Sequence, residues 1–268
     1  MNVYMNIAKG RPCMDNRLIA HRGEPLHWPE NSLRGFRAVL EAGACYVETD
    51  VQITTDRIPV LCHGDSLLRI TGRDLLVTET TLTDILALSA SYPECFGNRF
   101  ASERIATLGE FALLLAEWPK TYAFLEIKLA SIRAFGVGSA IDLMLEASVG
   151  VRTQCIPISF EYAAMKYARM NTGLPVGWVL PEWNDATHRL ADSLEPEYLF
   201  VNRRRLPGPA EPLWPGPWRW VVYTANQTSD IKRLLKRGFD LVETDNISRV
   251  MRELRASRIV SRPDNRLY

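Results

Sequence analysis

Three clusters of chemically active residues follow short apolar runs in the first quarter of the chain. His21 comes after Leu-Ile-Ala and precedes Arg22, whereas His63 comes after Val-Leu-Cys. Between them lie Glu48 and Asp50, two positions apart and preceded by Tyr-Val. Two imidazoles, two carboxylates and a guanidinium are the groups that metal-assisted cleavage of a phosphodiester requires. The spacing therefore predicts a centre for that chemistry.

The elements that must position these residues alternate between short strands and amphipathic helices. We expect strands over 17–21, 46–53, 58–62, 122–127, 155–159, 175–179, 198–201, 220–223 and 241–244. We expect helices over 31–42, 108–118, 139–147, 161–170, 185–194, 229–237 and 247–256. This alternation requires parallel strands with right-handed crossovers, and about eight strands favour an α/β fold of the TIM (β/α)8 barrel type.

The length of 268 residues fits a single barrel domain with a core of about 17–257, although two small domains are also compatible with it. A polar, threonine-rich stretch over about 69–106 interrupts the alternation, and we expect an insertion after the second strand region. Such an insertion would lie over the catalytic face as a lid or a substrate wall. A doubly wound sheet is a weaker alternative, since the chain has no G-x-G-x-x-G, Walker or G-x-S-x-G motif.

In a barrel, the ends of the strands place side chains at one mouth. Glu48 and Asp50 share one face of their strand, and such paired oxygen ligands suit Mg²⁺ or Ca²⁺. Glu126, near the end of a later strand, could complete the coordination, and Lys128 would offer a positive charge to a phosphoryl group. Each residue alone also has an ordinary structural explanation; their joint position favours the functional one.

Composition excludes several classes of protein. The formal net charge is +1, which does not favour nucleic acid or an anionic membrane as a partner. The five cysteines show no C-x-x-C spacing, which argues against a disulfide framework and a structural zinc site. Residues 1–15 lack an apolar core of signal-peptide length, and no run is long enough to span a bilayer. We therefore expect a cytoplasmic protein with a small-molecule substrate; the oligomeric state is left open.

The order of motifs resembles the glycerophosphodiester phosphodiesterase family. The specific part of the resemblance is HRG at 21–23, PEN at 29–31, E-x-D at 48–50 and the histidine at 63. Weaker matches follow over 68–72, 107–108, 125–128, 159–160, 222–226, 238–240 and 244–245. Together they cover nearly the whole chain in the order of the family.

The resemblance implies a TIM-barrel hydrolase that cleaves glycerophosphodiesters into an alcohol and sn-glycerol 3-phosphate. It implies a role for each matching residue. His21 and His63 would form the acid–base pair; Glu48, Asp50 and Glu126 would hold Mg²⁺ or Ca²⁺; Arg22 and Lys128 would bind the phosphate. Whether the nucleophile is water or a glycerol hydroxyl stays open.

Two positions depart from the family pattern. The family usually has His-Asp at the second histidine, whereas this chain has His63-Gly64-Asp65, so the supporting aspartate is displaced by one residue or its role is lost. Tyr223 stands where the family usually has tryptophan, and it would change substrate preference if it lines the glycerol end of the pocket. Two other functions remain open: a lysophospholipase D-like phosphodiesterase and a non-catalytic protein that binds a phosphate ligand.

Overall fold

The computed structural model of the chain describes residues 17–208 and 211–260. The strands are β1 (Leu18–His21), β2 (Tyr46–Ile53), β3 (Pro59–Leu61), β4 (Tyr122–Ile127), β5 (Cys155–Ser159), β6 (Gly177–Val179), β7 (Tyr198–Asn202), β8 (Arg219–Tyr223) and β9 (Leu241–Thr244). The α-helices are α1 (Leu33–Glu41), α2 (Leu68–Thr71), α3 (Leu82–Leu86), α4 (Pro93–Phe96), α5 (Leu108–Ala116), α6 (Leu129–Phe135), α7 (Val137–Ala147), α8 (Tyr162–Thr172), α9 (Asp185–Leu194), α10 (Thr228–Arg237) and α11 (Ile247–Val260).

Eight of these strands form a closed parallel barrel. The order around it is β1-β2-β4-β5-β6-β7-β8-β9, and β9 pairs with β1 to close the ring. The remaining strand, β3, runs antiparallel to β2 and lies outside the ring. The predicted TIM-barrel fold is therefore confirmed, but β3, which precedes His63 by two residues, is not one of the barrel strands.

Alternate residues of each strand serve two different cores. The outward side chains pack against the helices in the large core, as the buried Val47 and Val51 of β2 do. The inward side chains fill the barrel with a second, smaller core that includes Ile19, Tyr46 and Phe124. Side chains alternate between the two faces of a strand, so Glu48 and Asp50 of β2 point into the barrel on the same face as Tyr46.

The predicted bounds of β2, β4, β5, β9 and α9 coincide with the observed ones. Helix α1 begins after Ser32, whose side chain accepts a hydrogen bond from the Gly35 amide and so caps it. Sequence patterns missed α6, which starts directly after β4 with Lys128 as its N-cap residue. Only Lys128 separates β4 from α6, so no turn residues in the sequence mark where the strand ends and the helix begins.

The insertion builds a satellite core of its own. Its apolar residues, among them Ile70 and Ile85, are buried together with Leu67 beside Val60 of β3. The insertion also contacts the segment between β1 and α1, where Trp28 lies 5.7 Å from Phe100 between ring centroids. No residue of 69–106 lines the large cavity at the barrel mouth, and the role of this segment as a lid or substrate wall stays a prediction.

Two further expectations concern the periphery. In the described part of 201–218, Trp214 stacks on Trp183 and His188, with ring centroids 4.1 and 4.4 Å apart. No helix among the described residues is long and apolar enough to cross a membrane. The expectation for residues 1–15 lies outside the described residues.

Candidate active site

The site lies at the carboxyl-terminal mouth of the barrel, where register brings the predicted residues together. His21 pairs with Glu48 across β1 and β2, and Asp50 pairs with Glu126 across β2 and β4. The turn after β1 is fixed because the Arg22 amide donates to the Glu48 carbonyl at 3.0 Å. The parallel strands thus place residues from distant parts of the sequence at one level.

Three carboxylates form a compact cluster in this mouth. Ligand atoms of Glu48, Asp50 and Glu126 all lie within 4.8 Å of one another. Glu48 is 2% exposed, and neither of its carboxylate oxygens accepts a hydrogen bond from a described residue. Burial, and then the charge of Asp50, raises the pKa of Glu48 well above its ordinary value. A buried carboxylate without donors suits a divalent cation, since hard cations prefer several oxygen ligands.

Two cations flank the acidic cluster. Arg22 Nε lies 2.9 Å from Asp50 Oδ2, and Lys128 Nζ lies 2.5 Å from oxygens of both Asp50 and Glu126. Although burial opposes ionisation of Asp50, these two cations hold the pKa of its carboxyl far below the ordinary value. Asn31 fixes the same side chain by donating from Nδ2 to Asp50 Oδ2 at 2.9 Å. Positive charge is thus available next to the acidic cluster for an anionic ligand.

His21 is supported by a carboxylate from the opposite end of the chain. Its Nδ1 donates to Asp245 Oδ1 at 2.5 Å, and its Nε2 lies 3.9 Å from Glu48 Oε2. Asn226 fixes Asp245 by donating to Oδ2 at 2.8 Å and by accepting from the Asp245 amide. Burial opposes ionisation of Asp245, yet its hydrogen bond with His21 keeps its pKa below the ordinary value. This support fixes the His21 tautomer, with Nε2 directed towards the acidic cluster.

His63 reaches the mouth by a different route. The amide of the preceding residue, Cys62, donates to the Asp50 carbonyl at 3.1 Å, which extends the hairpin of β2 and β3. His63 Nδ1 lies 3.5 Å from the Arg69 guanidinium, which also forms a two-pronged pair with Glu30. Burial, together with nearby cations, lowers the pKa of His63 to about 4.

The displaced aspartate does not support His63. Asp65 is exposed, and its Oδ1 lies 3.4 Å from Gln52 Nε2. The same Gln52 amide donates to the Gly64 carbonyl at 2.7 Å and so holds the turn after His63. The described polar neighbour of the His63 ring is therefore a cation, Arg69, which comes from the insertion.

One cavity of about 760 Å³ at the barrel mouth is lined by both histidines, both cations and most of the carboxylates described above: His21, Arg22, Glu48, His63, Glu126, Lys128 and Asp245. Tyr223, predicted to bind substrate, lies at the end of β8 and lines this cavity as well. Burial, followed by the charge of Glu126, raises the pKa of the Tyr223 hydroxyl. One side of the cavity is apolar, with Ile158, Val179 and Phe200 on it.

Sequence reasoning missed three residues that the structure adds to the site. Asp245 and Asn226 belonged to weak motif matches and were given no role, and Glu243 lies inside an apolar run of β9. The available signal was the spacing of Glu243 and Asp245, because residues two positions apart at the end of a strand lie on the same face. His27 lies outside this cavity, with its Nε2 3.2 Å from Asn246 Oδ1.

Fold and site together define the class of protein: an enzyme of the TIM-barrel type that hydrolyses phosphoric diesters. Residues 21–249 match the model of the glycerophosphoryl diester phosphodiesterase family, and the chain belongs to this family.

Similarity to individual proteins extends over most of the chain. A glycerophosphodiester phosphodiesterase of Caldanaerobacter subterraneus subsp. tengcongensis is 28% identical over 240 residues, which cover 87% of this chain and 95% of that protein. A phosphodiesterase of Oleispira antarctica, solved with the product sn-glycerol-3-phosphate, superposes with a TM-score of 0.78 at 23% identity over 89% of this chain and 96% of its own. A putative glycerophosphoryl diester phosphodiesterase of Silicibacter pomeroyi gives 0.75 at 24% identity over 90% and 93%. The last two likenesses concern the fold.

Proposed function

We propose that the chain hydrolyses glycerophosphodiesters to an alcohol and sn-glycerol 3-phosphate, with a divalent cation and two histidines. One observation carries the proposal: the buried Glu48 carboxylate belongs to a three-carboxylate cluster and accepts no hydrogen bond from a described residue, and its Oε2 lies 3.9 Å from His21 Nε2. The family membership and the similarity to the enzyme of Caldanaerobacter subterraneus support the same reaction.

We assign Mg²⁺ or Ca²⁺ to Glu48, Asp50 and Glu126, because carboxylate oxygens are the ligands both ions prefer. Bound there, the cation would supply Lewis-acid stabilisation of charge on the phosphoryl oxygens. Arg22 and Lys128 hold their positive charges within the same cavity and would bind the other non-bridging oxygens.

The surroundings of the two imidazoles assign them different tasks. The Asp245 carboxylate keeps the proton of His21 on Nδ1, so Nε2 is free to take a proton from the nucleophile, either water or a glycerol hydroxyl. Arginine only donates, so the Nδ1 that faces Arg69 accepts, and the neutral His63 ring carries its proton on Nε2. To protonate the oxygen of the departing alcohol, His63 would first have to take up a second proton; the imidazolium then donates from Nε2 and returns to the neutral ring.

The remaining wall of the cavity would hold the organic parts of the substrate. Tyr223 places a hydroxyl at the end of β8, opposite the acidic cluster. The apolar side with Ile158, Val179 and Phe200 is the observation that favours the second candidate, a lysophospholipase D-like enzyme, because an acyl chain needs such a surface.

The test follows the phosphorus of glycerophosphocholine and lysophosphatidylcholine by ³¹P NMR, with Mg²⁺, Ca²⁺ or EDTA. We expect sn-glycerol 3-phosphate from glycerophosphocholine with either metal, and none with EDTA. Glu48→Gln, which removes a charge that the fold leaves unpartnered, should stay folded and lose turnover. Turnover of lysophosphatidylcholine alone would favour the second candidate, and binding without turnover of either would leave a non-catalytic phosphate-binding protein.

A further inference from the structure

Glu243 is a buried carboxylate that the proposed reaction does not use. It projects from β9 into the barrel, is 3% exposed and lines the cavity at the mouth. Its Oε1 accepts no hydrogen bond from any described residue. Glu243 is also absent from the carboxylate cluster whose ligand atoms lie within 4.8 Å of one another.

Glu243 lies deeper in the barrel than His21. It pairs in register with Ile19 of β1, two residues before His21, and is therefore one inward-facing layer deeper. Ile19 and Leu241, the inward residues next to it, are apolar and fully buried. A buried acceptor without a donor destabilises the fold, whereas an apolar side chain of similar size would not. The position is therefore suited to a ligand that supplies the donor.

The shape of the cavity indicates which part of the substrate reaches this depth. Below Glu243 the interior is filled by rings such as Tyr46 and Phe124, 6.0 Å apart between centroids. The open side is lined by Phe160 and by Arg203 and Arg204, which follow β7, the strand opposite β2 in the ring. A short arm that ends in a hydroxyl fits the closed end, and an alcohol of variable size fits the open side.

We propose that Glu243 accepts a hydrogen bond from the terminal hydroxyl of the substrate's glycerol arm and so selects deacylated glycerophosphodiesters. The inference rests on the proposed function, because it places the scissile phosphate at the acidic cluster next to His21. A 1-acyl lysophospholipid has no hydroxyl to donate at this point, and its chain would meet the filled interior of the barrel. Glu243 is thus a specificity-determining residue.

The experiment compares sn-glycero-3-phosphocholine with its 1-deoxy analogue, the phosphocholine diester of propane-1,2-diol. The analogue keeps the secondary hydroxyl and lacks only the terminal one. For the wild type we expect kcat/KM to be about 10- to 100-fold lower with the analogue, the value of one hydrogen bond to a charged group. Glu243→Met should bring the two substrates within about threefold of each other, chiefly through KM. Glu243→Gln, which keeps an acceptor oxygen, should retain part of the discrimination.

Controls separate this inference from its alternatives. Thermal melting should show both variants at least as stable as the wild type, and titration of metal-free protein with Mn²⁺ should give an unchanged affinity. Equal wild-type rates on both substrates, equal losses on both in Glu243→Met, or a tenfold loss of Mn²⁺ affinity would each overturn the inference. If the wild type cleaves neither substrate, the proposed function itself fails; if it cleaves both without discrimination, only the role of Glu243 fails.

Discussion

Two histidines line the same cavity, but the Nδ1 atoms of their rings face groups of opposite charge. The region of His21, at the end of β1, presents Asp245 to Nδ1 and Glu48 to Nε2. The region of His63, after β3, presents the Arg69 guanidinium to Nδ1. A carboxylate neighbour and a guanidinium neighbour fix opposite tautomers. The two residues of the proposed acid–base pair thus differ in tautomer, although they are of the same residue type.

The largest effect is expected from removing either imidazole. His21→Asn and His63→Asn should each lower kcat by about 10²- to 10⁴-fold, because each removes one partner of proton transfer. The double variant should lose little more than the worse single variant, since the two groups act in one step. Initial rates on glycerophosphocholine, with circular dichroism to show folding, measure this. Additive losses in the double variant would contradict a shared step.

The next effect concerns the two aspartates. Asp245→Asn should lower kcat by about 100-fold, because His21 loses the acceptor that fixes its tautomer. Asp65→Asn is the matched control: its carboxylate lies against Gln52, so kcat should stay within about twofold. Steady-state kinetics of both variants measure these changes in kcat. A loss on Asp65→Asn as large as that on Asp245→Asn would show that the displaced aspartate still supports His63.

A smaller effect is expected at Arg69. Arg69→Met should lower kcat about fivefold, the value of one ordinary hydrogen bond, and shift the His63 tautomer towards Nδ1–H. Arg73→Met, at an exposed position of the same insertion, should change neither. Kinetics combined with ¹⁵N NMR of the imidazole nitrogens measures both consequences. An unchanged His63 tautomer in Arg69→Met would break the comparison between the two histidines.

The smallest effect is a slope of stability against pH. The folded pKa of His63, about 4, lies below the ordinary value of 6.5. As pH falls from about 6.5 to 4, the unfolded chain therefore binds a proton at this residue before the folded chain does. The free energy of unfolding should fall over that range, and the fall should be shallower in His63→Asn. Urea denaturation at several pH values in EDTA measures it; identical slopes would contradict the neutral, buried state of His63.

Much of the fold could be predicted from the sequence because local pattern dictates it. The strands β2 and β4 both begin with aromatic and apolar residues and carry carboxylates further along, and their predicted bounds coincide with the observed ones. Helix α6 was missed because it follows β4 without a loop, and α2 to α4 because they are only four or five residues long. The antiparallel direction of β3 depends on its pairing with β2, which a strand pattern does not encode.

The sequence predicted those site residues whose type and position at a strand end indicate a role. The structure brings all eight predicted side chains to one mouth, and their roles stay predictions. The support of His21 could not be derived from spacing, because Asp245 lies 224 positions away along the chain. Nor could Arg69 be assigned: its contact with His63 depends on how the insertion packs. Carboxylate oxygens of Glu48 and Glu243 accept no hydrogen bond from a described residue, and this depends on the three-dimensional packing around them, which no sequence pattern indicates.

The central claim is that the polar mouth of the barrel is a metal-dependent centre in which His21 transfers a proton. The most direct test measures release of sn-glycerol 3-phosphate from glycerophosphocholine by the wild type and by His21→Asn. Each protein is assayed with Mg²⁺, with Ca²⁺, after EDTA, and after metal is restored. The account predicts turnover by the wild type that EDTA abolishes and metal restores, and at most about 1% of it in His21→Asn. Full turnover in EDTA, or undiminished turnover by the folded variant, would contradict it.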